Sequence, residues 1–328
     1  MSRLLPWGVL PCLIAVGCAP KAPPTAPAAL TEVSMQHPWI DVPRREVVAA
    51  THRLAVFDTG GEGPPVVLVH GLGSHSGFWQ KQLTGGRLGE LRLIAPDLPG
   101  WGDSDQPDGP YTPSWYASAL VHMLDALNLP RAHIVGHSMG GQAAIALALE
   151  HPERVASLTL VAPAGIETFT DEEGALIRGF WTDDRLRGRT EEAARASYGF
   201  VFGRWDEDVE RLLQHRMALD RTDRVDGMIR AVQRSVAGML AEPVRHRLGE
   251  LAMPVHYVYG TDDKMIPAAA LHPTLTPKSI ADDAKSAVAQ SRITPVAGAG
   301  HTPHHDDPAA FDDAFLAFIQ SLPDTSIP

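Results

Sequence analysis

Cysteine is almost absent from this chain. Of its 328 residues only Cys12 and Cys18 are cysteine, and both lie near the start. The remainder holds no disulfide and no thiol that could be misoxidised outside a reducing compartment. Positive charge is also scarce: 28 Lys and Arg face 39 Asp and Glu, for a net charge of −11. That balance argues against a nucleic-acid partner, because binding phosphate needs a basic surface. No apolar run is long enough to cross a bilayer. The longest, Leu4 to Gly17, holds 14 residues and contains Pro6 and Pro11, where about 20 are needed. No segment of 20–50 residues repeats, which excludes a solenoid or propeller.

What the N-terminus does contain reads as an export signal. Arg3 precedes the apolar run, and Leu13-Ile14-Ala15-Val16-Gly17-Cys18 resembles the box in which a bacterial signal peptidase leaves a lipid-modified cysteine. The expectation is a signal peptide over 1–17 and lipid attachment at Cys18. Processing there would discard Cys12 and acylate Cys18. A Pro/Ala-rich tether over 18–45 follows, with Pro20, Pro23, Pro24 and Pro27. Such a tract cannot build a core and stays extended. This reading places the protein at a bacterial cell envelope, at the outer membrane or the periplasmic face.

From Glu46 onward short apolar runs alternate with helical periodicity. Val47–Ala50 and Leu54–Asp58 read as an opening strand pair, and Gly60 to Gly63 as a loop. Val66–Val69, Leu91–Ala95, His133–Val135, Ser157–Val161, Val255–Tyr259 and Arg292–Val296 read as buried strands. Helices are expected over Ser114–Leu127, Gln142–Glu150 and Phe311–Ile319. Strands separated by helices imply a doubly wound, mostly parallel α/β sheet. Pro295 within the last strand places that strand at an edge. Residues 166–251 carry no strand signal. They read as an inserted helical cap, with helices over Asp206–Leu219 and Gly227–Ala241, between core segments 46–165 and 252–328. The cap's aromatics, Phe180, Trp181, Tyr198, Phe200, Phe202 and Trp205, are expected mostly to pack within it. The stretch Phe200 to Trp205 would also suit an apolar substrate group.

The strongest chemical signal is Gly136-His137-Ser138-Met139-Gly140-Gly141, a G-x-S-x-G match lying between a strand and a helix. A sharp turn there thrusts the serine hydroxyl out of the sheet, and the helix N-terminus adds positive potential beside it. Serine is a weak nucleophile until a base takes its proton, so a histidine and a carboxylate are needed. Asp262 and Asp263 are adjacent carboxylate candidates, and His301 follows them.

These motifs together resemble the α/β-hydrolase family, in its capped lipase/esterase and carbon–carbon hydrolase group. The resemblance runs from Val47 to Leu322. His70-Gly71-Leu72-Gly73 resembles the family's oxyanion loop. Asp97-Leu98-Pro99-Gly100-Trp101-Gly102-Asp103-Ser104 resembles its structural turn. The loops Gly260 to Pro267 and Gly298-Ala299-Gly300-His301 resemble those bearing its acid and its histidine. The resemblance implies Ser138 as nucleophile, His301 as base and Asp263, by family spacing, as acid. It also implies oxyanion donors at the backbone N–H groups of Leu72 and Met139. Ala162-Pro163-Ala164-Gly165 leaves no carboxylate at the family's alternative acid position.

The implied activity is hydrolysis of a carboxylic ester through an acyl-enzyme, with no cofactor and a small-molecule ester as partner. Two alternatives stand beside it: carbon–carbon bond hydrolysis of a ring-cleavage dienoate, and a hydrolase-fold protein that only binds. Against the dienoate, His137 and Lys81 stand where such enzymes often carry Asn. Arg178, Arg185, Arg187 and Arg189 read as a solvated helix face rather than as carboxylate binders. His70 is expected to shape the oxyanion loop and His137 to bond locally. The run His301 to Asp307 is metal-like in composition but reads as a helix start, with no metal expected. The connection Pro267–Ser291 is longer than the pattern needs and has no assigned role.

Overall fold

The computed structural model describes residues 39–323; the expected signal peptide, Cys18 and most of the tether lie outside these residues. Eight strands form one sheet: β1 (Arg44–Ala49), β2 (His52–Asp58), β3 (Pro65–Val69), β4 (Arg92–Pro96), β5 (Ala132–His137), β6 (Val155–Val161), β7 (Val255–Gly260) and β8 (Arg292–Val296). Their order across the sheet is β1-β2-β4-β3-β5-β6-β7-β8. The β1–β2 and β2–β4 pairs are antiparallel and all others parallel. Every residue of β3, β5, β6 and β7 is buried, as strands covered by helices on both faces must be. β8 does lie at the edge, where Pro295 pairs with Tyr259 at no cost to a further neighbour.

The helices are α1 (Gln80–Thr84), α2 (Pro113–Ala126), α3 (Met139–Glu150), α4 (Asp171–Phe180), α5 (Asp183–Arg187), α6 (Glu191–Val201), α7 (Glu207–Leu219), α8 (Val225–Ala241), α9 (Pro277–Ala287), α10 (Pro303–Asp306) and α11 (Pro308–Ile319). One face of the sheet packs on α2, α3 and α9 through residues such as Leu120, Ile145 and Ile280. The other packs on Trp79, Phe311 and Phe315. The fold begins before residue 46. Ile40 is buried in that second layer, and Arg44 and Arg45 already pair in β1.

Five helices, α4 to α8, stand between β6 and β7. Tyr198, Phe202, Val209, Leu212, Leu213 and Met217 give α6 and α7 their own apolar cluster, closed by Phe78 from the core. The expectation for the cap aromatics holds for Tyr198 and Phe202 but fails for Phe180, Phe200 and Trp205, which are exposed. Arg185 and Arg195 lie over Phe180 and Trp205, covering part of each ring.

The connection 268–290 also has an answer. It contains α9, the crossover helix that joins parallel strands β7 and β8. Thr276 and Ser279 form a capping box, Pro277 occupies the first turn, and Ile280, Ala281 and Ala284 are buried.

The turn after β4 is held by one carboxylate. Asp97 is fully buried; its Oδ1 accepts from the Ser76 N–H at 2.8 Å and the Ser76 hydroxyl at 2.6 Å. Its Oδ2 accepts from the Asp103 N–H at 2.9 Å and from Arg44. Burial alone would raise its pKa, but Arg44 and these hydrogen bonds hold it well below the usual carboxylate range. The segment after β3 is thereby locked to the segment after β4, and both border the site.

Candidate active site

Ser138 sits between β5 and α3 with φ 53° and ψ −120°. A side-chain-bearing residue rarely adopts this conformation, and it costs about 1–3 kcal/mol. The surrounding structure enforces it. The Ser138 N–H donates to Val161 O at 3.0 Å, and its carbonyl accepts from Gly141, Gln142 and Ala164 at 2.9, 3.2 and 2.9 Å. Gly140 permits the close approach of strand and helix, since a Cβ there would stand 2.4 Å from His70 O. Ser138 is half-buried, so its hydroxyl remains reachable.

The loop His70 to Gly73, the expected oxyanion loop, lies against this turn: a Cβ on Gly71 would be 3.1 Å from Ser138 Cβ. His70 shapes that loop, as expected. Its Nδ1 lies 2.9 Å from Gly71 O, and its Nε2 accepts from the Leu98 N–H at 3.0 Å. Burial lowers its pKa and keeps it neutral. The Met139 N–H opens α3, and neither it nor the Leu72 N–H bonds to another described residue.

Asp263 follows β7. Its Oδ1 accepts from the Met265 and Ile266 N–H groups at 2.7 and 3.1 Å, and its Oδ2 accepts from His301 Nδ1 at 2.8 Å. Both side chains are about 95% buried or more, at 1% and 5% exposure. Since a carboxylate only accepts, the proton sits on Nδ1 and Nε2 keeps a lone pair. Asp262 does not join them. It is exposed, and its carboxylate accepts from the Thr261 hydroxyl at 3.0 Å.

His137 links the two halves of the site. Its Nε2 donates to the His301 carbonyl at 2.9 Å, and the two rings lie 4.8 Å apart. Burial, then the charge of His301, drives its pKa well down, so it stays neutral. The Ser138 hydroxyl makes no direct hydrogen bond to His301 in this resting geometry; such bonds often tighten only with substrate bound.

The remaining histidines of the run have structural surroundings. His304 packs at a tilt against Trp79 with ring centroids 4.1 Å apart, and His305 packs edge-on to Phe202 at 4.9 Å. Asp307 caps α11 by accepting from the Ala310 N–H at 3.1 Å. Among the described residues no cluster of three or more His, Cys, Asp or Glu could hold a metal.

Among the cap arginines, Arg178, Arg185 and Arg187 are exposed, as a solvated face requires, while Arg189 is half-buried. The residue that sequence reasoning missed is Arg216. It is 7% exposed, bonds Asp220 at 2.8 Å and donates to Gly73 O, in the loop after β3, at 3.1 Å. A signal for it existed. Val209, Leu212, Leu213, Arg216 and Met217 share the buried face of α7 at helical spacing. Lys81 is turned away into an ion pair with Asp206 at 2.6 Å.

Residues 66–314 match the profile of the Alpha/beta hydrolase family. The chain belongs to the alpha/beta hydrolase family. A 2-hydroxy-6-oxononadienedioate/2-hydroxy-6-oxononatrienedioate hydrolase of Paraburkholderia phymatum is 31% identical over 231 residues, covering 66% of this chain and 76% of that protein. Among solved structures, a probable hydrolytic enzyme of Pseudomonas aeruginosa is 24% identical with a TM-score of 0.75, covering 86% of this chain and 95% of that one. A thermophilic esterase of Thermogutta terrifontis is 23% identical with a TM-score of 0.68, covering 84% and 98%. The protein is thus an alpha/beta hydrolase whose relatives include carbon–carbon hydrolases and whose fold is shared with esterases.

Proposed function

We propose that this hydrolase cleaves carboxylic esters through an acyl-enzyme on Ser138. The observation that carries the reading is the buried Asp263–His301 pair, which leaves His301 Nε2 as a proton acceptor, its ring against that of His137, the neighbour in sequence of the strained, reachable Ser138. His301 takes the Ser138 proton as Oγ attacks the ester carbonyl. The Leu72 and Met139 N–H groups, unengaged by acceptors among the described residues, receive the developing oxyanion. As the intermediate collapses, the imidazolium returns that proton to the departing alkoxide, and an alcohol leaves. Water then repeats the sequence on the acyl-Ser138 ester, releasing the acid and restoring the serine.

The test is a fluorophosphonate probe on the wild type, Ser138→Ala and His301→Ala. Only the wild type should label, and a p-nitrophenyl ester series should be turned over by it alone. Labelling that persists in Ser138→Ala refutes the assignment. A wild type that neither labels nor turns over any ester would instead select a hydrolase-fold protein that only binds.

Carbon–carbon hydrolysis is the second reading, favoured by Arg216. A guanidinium buried against the loop that would hold the substrate carbonyl suits a substrate carboxylate or enolate. A higher kcat/KM for a synthetic dienoate than for any ester would select it. For location, we propose lipid attachment at Cys18 and anchoring at the cell envelope, resting on the apolar run, Gly17-Cys18 and the Pro-rich stretch that follows. Expression with a labelled fatty acid should mark the wild type and not Cys18→Ser.

A further inference from the structure

The last residue of α6 and the segment that joins it to α7, residues 201–206, cross over the histidine loop. The His301 N–H donates to Val201 O at 2.9 Å. Beside it, the Asp306 carboxylate gathers donors from both sides. Its Oδ2 accepts from the Gly300 N–H at 2.8 Å and the Gly203 N–H at 2.9 Å, and its Oδ1 accepts from the Arg204 N–H at 3.2 Å. Asp306 is 5% exposed. The two backbones meet so closely that a Cβ on Gly203 would stand 2.6 Å from Gly300 N. Lys81 and Asp206 add a second clasp, with Lys81 also donating to His305 O at 3.2 Å.

The peptide of His301 is therefore bonded to the cap through its N–H and to His137, next to the serine, through its carbonyl. We propose that Asp306 is a positioning residue for the base, and that the cap segment 201–204 is part of the frame that holds His301. The cap then acts on the chemical step as well as on substrate binding. Asp306 touches no reacting atom. It fixes Gly300 and the crossing cap segment together, and so the seating of the His301 imidazole relative to Ser138. A shift of about 1 Å in a catalytic group costs on the order of 10²-fold in rate, so loosening this clasp should appear in kcat.

The inference rests on His301 being the base, and the experiment separates the two. Asp306→Ala, Asp306→Asn, Gly203→Ala and His301→Ala are compared with wild type on p-nitrophenyl acetate, a substrate too small to need the cap. Kinetics are read with the pH–rate profile, the rate of fluorophosphonate labelling and thermal unfolding. Asp306→Ala should lower kcat and the labelling rate about 10- to 100-fold with KM within about two-fold, and should move the acid limb of the profile. Asp306→Asn keeps an acceptor for Gly300 and Gly203 and should restore most of kcat. Gly203→Ala pushes the same two backbones apart with the carboxylate intact, and should follow Asp306→Ala in direction. It decides the matter if Asp306→Ala does not fold. An unchanged kcat and profile, a rise in KM alone, or a lower melting temperature at wild-type kcat would overturn the proposal. If His301→Ala is inactive and the clasp variants are normal, only the clasp fails. If His301→Ala keeps wild-type activity, the ester-hydrolase reading fails first.

Discussion

Replacing Asp263 by Asn tests the acid assignment more sharply than removing it. The Oδ1 atom of Asp263 accepts two backbone N–H groups, from Met265 and Ile266. In Asp263→Asn the amide oxygen must stay on that side, since an NH₂ there would face two donors. The amide nitrogen then faces His301 Nδ1, 2.8 Å away in the wild type. Two N–H groups cannot share that bond, so the imidazole gives up its Nδ1 proton, accepts there and carries its proton on Nε2 instead. A base protonated on the atom that faces the serine cannot take the serine proton. In serine hydrolases with this constellation the corresponding tautomer error costs about 10⁴ in kcat, equivalent to about 5.4 kcal/mol at about 1.36 kcal/mol per factor of ten. The fold should be little disturbed, because the two Oδ1 bonds survive. Asp262→Asn is the matched control. Its carboxylate is exposed and accepts from its neighbour Thr261, so kcat/KM should stay within about two-fold. The assay is kcat and kcat/KM on p-nitrophenyl acetate for both variants, with melting temperatures recorded beside them. Equal losses, or a larger loss at Asp262, would refute the tautomer argument.

The strained turn predicts a trade between stability and function. Glycine tolerates φ 53°, ψ −120°, so Ser138→Gly should abolish turnover yet stabilise the fold by about 1 kcal/mol, or about 2–4 °C in melting temperature. An unaltered or lower melting temperature would mean that the turn carries no strain. A second prediction concerns pH. Asp312 is buried, and desolvation pushes its pKa up from 3.8 to about 6 against the opposing hydrogen bond from Gln82. The folded state thus keeps a proton that the unfolded chain loses, and Asp312 costs stability as pH rises from about 4 through 6. Asp312→Asn should be more stable than wild type by about 1–2 kcal/mol at pH 8, allowing for screening, with the gap closing toward pH 4. Urea titrations at both pH values measure it, and a gap independent of pH would remove Asp312 as its source.

The sheet was legible because its strands are buried on both faces. Val66–Val69 and Ser157–Val161 admit few polar residues, and no other element explains such runs. Pro295 located an edge on hydrogen-bonding grounds alone. The helices that went unseen are short or polar. In α4 and α5 only Gly174 and Leu186 are buried, which gives periodicity almost nothing to register. The helix α9 is marked by its cap and by Ile280, Ala281 and Ala284, but the prolines and charges around it obscure that pattern. Residues 39–45 read as the end of a tether because the alternating apolar pattern starts only at Glu46, yet Ile40 fills a place in the layer with Phe57 and Trp79 that only the folded sheet creates.

The candidate site divides along the same line. Ser138, Asp263 and His301 each lie at the end of a strand, in a loop whose local spacing is visible in the chain, and the topology brings those ends together. Arg216 is marked only as a charge on the buried face of α7, and Asp306 has no such local mark. Arg216 matters through a carbonyl 143 residues away in sequence, and Asp306 through N–H groups 102 and 103 residues away. Both depend on how the cap settles on the core, a packing result that no short pattern encodes. The residues proposed to make bonds in the reaction are thus held at strand ends. Those proposed to meet a substrate and to seat the base are placed by cap-to-core contact. A substitution in the cap should therefore move both the surroundings of Gly73 and the seating of His301, while the strand ends that carry Ser138 and Asp263 stay in place.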